Sequence, residues 1–547
     1  MLKNIINGQS KTITSAAIII GISSLASRLL GVVRDRVLAG QFGAGEILDI
    51  YYAAFRIPDL VFNLLVLGAL SAGFIPIFTQ YLTKKKNQEL WQMTSSVLNI
   101  LVVLLLVFCG LLFIFAPTLM SLIVPGFKEG QLSLTVTLTR IMFLSPLFLG
   151  ISSVLGGILQ SFKRFFVYSL SPIFYNLGII IGALFLEPFF GIYGLAWGVV
   201  LGAFLHMIIL VPSVIASGFK YQLMFNWANT GVRKIAKLMV PRTLSLAIVQ
   251  INLLVITIIA STLSNGSITI FNFANNLQSF PIGIFGISFA IAALPTLSVL
   301  AAKNKSQEFV KNFSNVVRQV LFFTIPFSVL FLVLRAQIVR VVLGAGLFDW
   351  NDTILTADCL AFFSLSLFAQ ALIPLLTRAF YALHNTLIPF IIGLASAFLN
   401  IVLSLWLIQG VNLSLFGRTI VVEGVVGLAL AFSLASLFNL ILLWVALRIK
   451  VGTLNELNII SSVFKISLAS VAMGIGVQIV KHSIGTKFGT ETFLSVASQG
   501  VFAGLTGLVI YYLICTWLKS PEMAVFKETI KRKLFKTAKV VEESEGV

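Results

Sequence analysis

The stretch Ser27-Arg-Leu-Leu-Gly-Val-Val-Arg-Asp35 lies inside an apolar run, residues 12–40, that is long enough to cross a bilayer. A cation at mid-bilayer depth costs about 2.5 to 3.5 kcal/mol on insertion scales, so two in one helix have to face a polar cavity, a partner or a bound anion. The segment reads as part of a binding site carried on a membrane helix.

Outward from this run, similar apolar stretches recur to the other end of the chain. Each needs about 20 residues to cross about 30 Å of hydrocarbon. From 12–40 and 48–80 to 456–481 and 490–518 they amount to about fourteen spans. Composition agrees: of 547 residues, 58% are hydrophobic and only 10% charged, against about 25% charged in a water-soluble globule. The expected fold is an all-α integral membrane protein with about fourteen transmembrane helices.

The first run is too long, and too polar at its centre, for a cleaved signal peptide. Basic residues alternate by loop. Lys84, Lys85 and Lys86, then Lys163 and Arg164, Lys220 with Arg233 and Lys234, Lys303 and Lys305, Arg448 and Lys450, and the Lys-rich tail share one side. Loops on the other side carry few, with Glu46, Asp349 and Asp352 among their charges. The positive-inside rule makes the basic loops and both termini cytoplasmic. Topology and anionic lipid then account for much of the net charge of +19, and no nucleic-acid partner is expected. The tail from Lys519 reads either as a short interfacial helix, with Phe526, Ile530 and Leu534 on one face, or as loosely ordered chain.

Cys109, Cys359 and Cys515 are dispersed in apolar runs, and His206, His384 and His482 are equally scattered, so no metal or cofactor is expected. There is no phosphate-binding G-x-x-x-x-G-K-[ST] loop and no H-E-x-x-H. The hydrophilic loops are too short for a catalytic or nucleotide-binding domain. The chain is therefore expected not to be an enzyme, and transport has to draw on a coupling cation, the membrane potential or the cargo's own gradient.

The first six spans and the next six show weak self-similarity. Ser27 to Gly31 is echoed by Pro241 to Ser245, pairing Arg28 with Arg242, and Gly191 to Ala196 is echoed by Gly424 to Ala429. Units with an even number of spans enter from the same side, so the repeat is parallel. The expected organisation is an N-lobe over 1–218, a C-lobe over 219–452, an appended two-helix hairpin over 453–518, and a basic tail over 519–547.

At about 100° per residue, Ser27, Arg28, Gly31, Arg34 and Asp35 fit in an arc of roughly 120°, so both cations address one cavity. On the second helix Asp49, Arg56, Asp59 and Asn63 fall within about 80°. Arg242, Ser245 and Asn252 mark the seventh span, and Thr269, Asn272, Asn276, Ser279 and Gly283 line one side of the eighth. Pro58, Pro76, Pro241, Pro281 and Pro295 interrupt these same spans, as is tolerated beside a wet cavity. The competing reading is structural: fixed ion pairs, Arg28 with Asp35 or Arg56 with Asp59, and ordinary interhelical hydrogen bonds.

Ser27-Arg-x-x-Gly-x-x-Arg-Asp35, Phe42-Gly-Ala-Gly45 with Asp49, Ala54-Phe-Arg-Ile-Pro58, Gly68-Ala-x-Ser71 and Phe74-Ile-Pro76 resemble the MurJ (MviN) family of lipid II flippases. So do Phe280-Pro-x-Gly283, Leu294-Pro-x-Leu-Ser298 and Arg378-Ala-Phe-Tyr-Ala-Leu-His-Asn-Thr386. The resemblance implies the multidrug/oligosaccharidyl-lipid/polysaccharide exporter superfamily: two six-helix lobes around a V-shaped cavity, plus two helices making a lipid-tail groove. It implies alternating access, moving an undecaprenyl-pyrophosphate-linked peptidoglycan precursor from the inner to the outer leaflet of the cytoplasmic membrane, for cell-wall synthesis, by a monomer.

In that picture Arg28 and Arg34 match arginines that engage the pyrophosphate, with Asp35 and Asp49 as acidic partners. Guanidinium suits this because it binds phosphate oxygens bidentately and keeps its charge. The chain departs from the family pattern at Phe62 and Asn276, where arginines are frequent, at Leu67 in place of a glutamate and at Asp59 in place of an asparagine. The expected cargo-binding set is Ser27, Arg28, Arg34, Asp35, Asp49, Arg56, Asp59, Arg242 and Asn276, with Arg56 or Arg242 standing in for the absent arginines. Alternative functions are flipping of another polyprenyl-linked oligosaccharide and cation-coupled multidrug export.

Overall fold

A computed structural model describes residues 13–67, 73–84, 87–415, 418–489, 492–528 and 531. Helices dominate because hydrocarbon offers no hydrogen bonds, so each spanning segment has to satisfy its own backbone. In chain order they are α1 (Ile13–Phe42), α2 (Glu46–Val61), α3 (Ile75–Thr83), α4 (Asn87–Ile123), α5 (Glu129–Met142), α6 (Leu144–Ser161), α7 (Phe165–Ile181), α8 (Tyr193–Ile208), α9 (Thr230–Ser261) and α10 (Ser267–Pro281). Then follow α11 (Ser288–Ala302), α12 (Ser306–Val333), α13 (Arg335–Leu343), α14 (Trp350–Ser364), α15 (Leu367–Ala382), α16 (Leu387–Leu407), α17 (Gly424–Val451), α18 (Glu456–Phe488) and α19 (Phe493–Trp517). An antiparallel hairpin, β1 (Val411–Leu415) with β2 (Arg418–Val422), pairs Val411 with Val422 between α16 and α17. That hairpin is an addition to the all-α expectation.

Among the described residues ten helices are long and apolar enough to cross a membrane, or eleven if α14 and α15, which meet at 48°, form one span. The expected count of about fourteen is thus not confirmed. α1, α2 and α9, which carry Arg28, Arg34, Asp49, Arg56 and Arg242, are not among the ten.

The chain divides into two compact units. One holds the described residues up to Asn272 together with Val342–Asp352, and the other holds Phe273–Val341 and the described residues from Thr353 onward. α9 therefore belongs with the helices that precede it. Within the first unit α7 and α8 come close at paired glycines: a Cβ at Gly178 or Gly182 would collide with the backbone of Gly202 or Gly198. Small residues four apart let two helices touch backbone to backbone, which is how packing energy is gained in lipid.

In the second unit Phe309, Phe313 and Val317 of α12 and Leu372, Leu375 and Leu376 of α15 form a buried core. α18 and α19 attach to α12 through Met473, Val477 and Ala503, and Tyr511 donates to the Phe322 carbonyl at 2.7 Å. Residues 521–528 are helical, with Phe526 packed on Phe322 and Phe323 and Lys527 over the Tyr512 ring. Ile530 and Leu534, the rest of the apolar face anticipated in the tail, lie outside the described residues.

Two local features recur in both halves. α2 passes from Pro58 into a wide π turn at Phe62–Leu67, and α10 passes from Pro281 into another at Ile282–Ile287. Proline removes a backbone donor, and the wider turn absorbs the mismatch. Gly191 and Gly424, paired by sequence, take φ of +58° and +56° at the entries to α8 and α17.

Candidate functional site

The charged face of α1 is held by α7. Arg34 reaches its neighbour Asp35 through Nε (3.0 Å) and Nη2 (2.7 Å), while Nη1 donates to Asn176 Oδ1 at 3.1 Å. Asn176 sits four residues after Pro172, whose carbonyl takes its Nδ2 at 3.0 Å, so the amide oxygen is aimed at α1. Gly31 leaves the room: a Cβ there would lie 3.9 Å from that oxygen. Asp35 is buried and Arg34 keeps partial exposure, 22% of its side chain.

One helical turn and a half earlier, Arg28 stands differently. It is partly exposed and makes neither an ion pair nor a hydrogen bond among the described residues. Ser27 beside it is also partly exposed. The structural pairing of Arg28 with Asp35 therefore does not form, and Asp35 serves Arg34 instead.

On α2, Arg56 donates through Nη2 to Asn272 Oδ1 at 2.9 Å, and its Nε is buried without a hydrogen-bond partner among the described residues. Asn272 in turn donates to the Ile268 carbonyl at 2.6 Å. Arg56 forms no ion pair with Asp59 at 4 Å or less, and the Asp59 carbonyl takes the Asn63 amide at 2.8 Å. Arg56 is held by a neutral amide, with the Asp59 carboxylate beyond ion-pair distance.

Asp49 does other work. Its carboxylate accepts from the Gly266 N–H at 2.6 Å and from both the N–H and the hydroxyl of Thr269, at 2.8 and 2.7 Å. It thus caps the N-terminus of α10 from another helix, satisfying donors that a helix start always leaves open. The loop that the sequence singled out as Phe42-Gly-Ala-Gly45 completes the joint. The Ala44 N–H donates to Asp352 at 2.9 Å, the Leu347 N–H donates to the Gly40 carbonyl at 2.8 Å, and Arg36 donates to the Val342 carbonyl at 3.3 Å. Gly266 has φ +93°, and any side chain on it would strike the Ala44 carbonyl. Asp49 and this loop close one end of the first unit.

Arg242 lies on α9 with its side chain outside the described residues, as does that of Ser245. Asn276 is on α10 and partly exposed, in the second unit. The geometry thus gathers Ser27, Arg28, Arg34 and Asp35 on α1 and Arg56 and Asp59 on α2, and gives Asp49 a capping duty. Sequence reasoning passed over Asn176; its signal was an amide inside an apolar span, four residues after a proline.

The second unit holds an apolar groove of about 550 Å³. Leu321, Ile325 and Leu332 of α12, Phe368 of α15, Trp444 of α17 and Val463 of α18 line it. The tail groove implied by the resemblance was expected along the last two spans. Of those, α18 contributes to this groove, and none of its described lining comes from α19.

The model of the family described as "Lipid II flippase MurJ" matches residues 38–498. The chain belongs to the lipid II flippase MurJ family. A probable lipid II flippase MurJ of Buchnera aphidicola subsp. Schizaphis graminum is 31% identical over 466 residues, covering 84% of this chain and 88% of that protein. The probable MurJ of Vibrio cholerae is 31% identical over 453 residues, covering 81% and 84%. A solved lipid II flippase MurJ in an inward closed conformation superposes with a TM-score of 0.73 at 25% identity, over 92% of this chain and 99% of that one. An inward-facing multidrug resistance MATE transporter of the MOP superfamily matches at 0.64 with 13% identity and shares the fold. This MurJ family member is a multi-pass membrane protein.

Proposed function

We propose that this protein moves lipid II, the undecaprenyl-pyrophosphate-linked peptidoglycan precursor, from the inner to the outer leaflet of the cytoplasmic membrane by alternating access. The observation that carries this reading is Arg28: a guanidinium on the largely apolar helix α1, without a protein counter-charge among the described residues, in a chain of this family. A diphosphate supplies the missing anion, and its oxygens match the guanidinium fork. Arg34, pre-oriented by Asp35 and Asn176, is the second cation. Arg56, held only by an amide, is the third and stands in for the arginine absent at Phe62.

In this reading Ser27 and Asp59 line the head-group site, and Asp49 supports it by fixing the start of α10. The apolar groove on α12, α15, α17 and α18 suits an isoprenoid tail. The basic loops and both termini face the cytoplasm. A monomer carries out the cycle, no bond of the cargo is made or broken, and a cation gradient or the membrane potential supplies the energy. Export of another lipid-linked glycan or of drugs has no observation in its favour.

The test is Arg28→Ala in a strain depleted of its own flippase, paired with lipid II flipping in vesicles containing the purified protein. Membrane insertion should persist and both rescue and flipping should disappear. Full rescue by Arg28→Ala would remove the pyrophosphate role.

A further inference from the structure

The segment between α8 and α9 is neither helix nor disengaged loop. Residues 219–226 run without helix along α4, and the tether is specific. Asn99 Nδ2 donates to the carbonyls of Gln222 (3.1 Å) and Met224 (2.9 Å), Tyr221 donates its hydroxyl to Asn99 Oδ1 (2.8 Å), and the Gln222 N–H donates to Ser95 Oγ (3.2 Å). Carbonyls two apart pointing the same way are the mark of extended chain. One α4 amide thus fixes the register of the whole strap.

That register sorts the side chains. Gln222 and Met224 are partly buried, while Tyr221, Leu223, Phe225 and Trp227 are 54–80% exposed. These four large apolar or aromatic groups, at every second position, each keep more than half of their surface open. They are placed where α4 changes character. This 37-residue helix is about 55 Å long at about 1.5 Å per residue, against about 30 Å of hydrocarbon. Its polar start carries Ser95 and Asn99, and its exposed apolar face begins at Val103 with Leu106, Val107 and Phe108. The strap sits at that junction, where Trp and Tyr are favoured in membrane proteins.

Between strap and helix lies a slot of about 310 Å³, walled by Ile100, Val103, Leu104, Val107 and Phe108 and closed by Phe225 and Trp227. At its edge Arg233 donates from Nε to the Trp227 carbonyl at 3.0 Å, holding an exposed guanidinium there, and exposed Lys234 follows it on α9. We propose that this slot binds one anionic phospholipid of the surrounding bilayer, an acyl chain between α4 and Phe225 and Trp227, and its phosphate on Arg233 with the neighbouring Lys234. Continuity with the lipid-facing side of α4 supplies the chain, and the basic pair Arg233 and Lys234 selects the head group. This site lies in the first unit, is built from residues outside the cargo set, and does not depend on the cargo being lipid II.

The test uses the full-length protein reconstituted into vesicles of phosphatidylglycerol or phosphatidylcholine, each with a dibrominated acyl chain, and reads tryptophan quenching. The wild-type minus Trp227→Phe difference isolates one of seven tryptophans and should be strongly quenched, at a lower mole fraction of phosphatidylglycerol than of phosphatidylcholine. Native mass spectrometry of the same protein should show retained phosphatidylglycerol falling about five-fold for each charge removed near the membrane surface, in Arg233→Gln and again in Arg233→Gln with Lys234→Gln. An unquenched Trp227 component, or equal retention of the two lipids by wild type and variants, would overturn the proposal.

Discussion

Asp49 separates two accounts of an intramembrane acid, cargo ligand or helix cap, and they differ in magnitude. Its carboxylate is 3% exposed and takes three donors: the Gly266 N–H, the Thr269 N–H and the Thr269 hydroxyl. Asp49→Ala removes the cap of α10, worth about 0.5–2 kcal/mol. It also strands two backbone donors that no water reaches, at about 1–3 kcal/mol each. Because the terms overlap, the expected loss is about 3–5 kcal/mol, near the upper end for a single substitution. Asp49→Asn keeps one acceptor oxygen and loses about 1–2 kcal/mol, since one donor and the charge opposite the helix start are given up. The assay is equilibrium unfolding of the detergent-solubilised protein, run beside lipid II flipping in vesicles. Thr269→Val should reproduce part of the Asp49→Ala loss, and the double variant of those two should lose less than the sum, because both remove the bond from the Thr269 hydroxyl to the carboxylate. Wild-type stability in Asp49→Ala together with abolished flipping would refute the cap and restore Asp49 as a ligand.

Three further outcomes follow from other contacts. Asp35→Asn leaves Arg34 with only an amide for company, and breaking a pair of this kind should cost about 3 kcal/mol and slow flipping, read by the same two assays. Gly178→Val forces a branched side chain into the backbone of α8 at Gly202; overpacking with no soft neighbour to yield should cost at least about 3 kcal/mol, and normal yield and stability would show that α7 and α8 do not touch there. Glu522, which accepts from Ser462 at 2.8 Å and Ser520 at 2.7 Å and lies 3.5 Å from Arg318, ties the segment after α19 back to α12 and α18. Glu522→Ala should cost about 3 kcal/mol and open residues 520–528 to protease, whereas an unchanged digestion pattern would sink that role.

The sequence alone determined the class of the molecule and marked the residues proposed for its chemistry. Apolar runs of spanning length admit little except helices, because a bilayer satisfies no backbone donor, and a guanidinium in such a run has no cheap place to go. Arg28, Arg34 and Asp35 therefore stood out as candidates for a site, and the motifs around them pointed to the family. The paired entries at Gly191 and Gly424 were legible as a repeat. Tertiary structure decided which polar groups are already spoken for. Helical periodicity gives the face on which Asp49 or Arg28 lies, but not what stands opposite, since partners such as Gly266, Thr269 and Asn176 come from chain more than a hundred residues away. That is why the structure, and not the sequence, shows Asp49 capping α10, and why Arg28 rather than Arg34 is left without a protein counter-charge among the described residues. The close meeting of α7 with α8 and the strap on α4 were equally hidden, because they depend on which helices become neighbours, and composition and spacing say nothing about that.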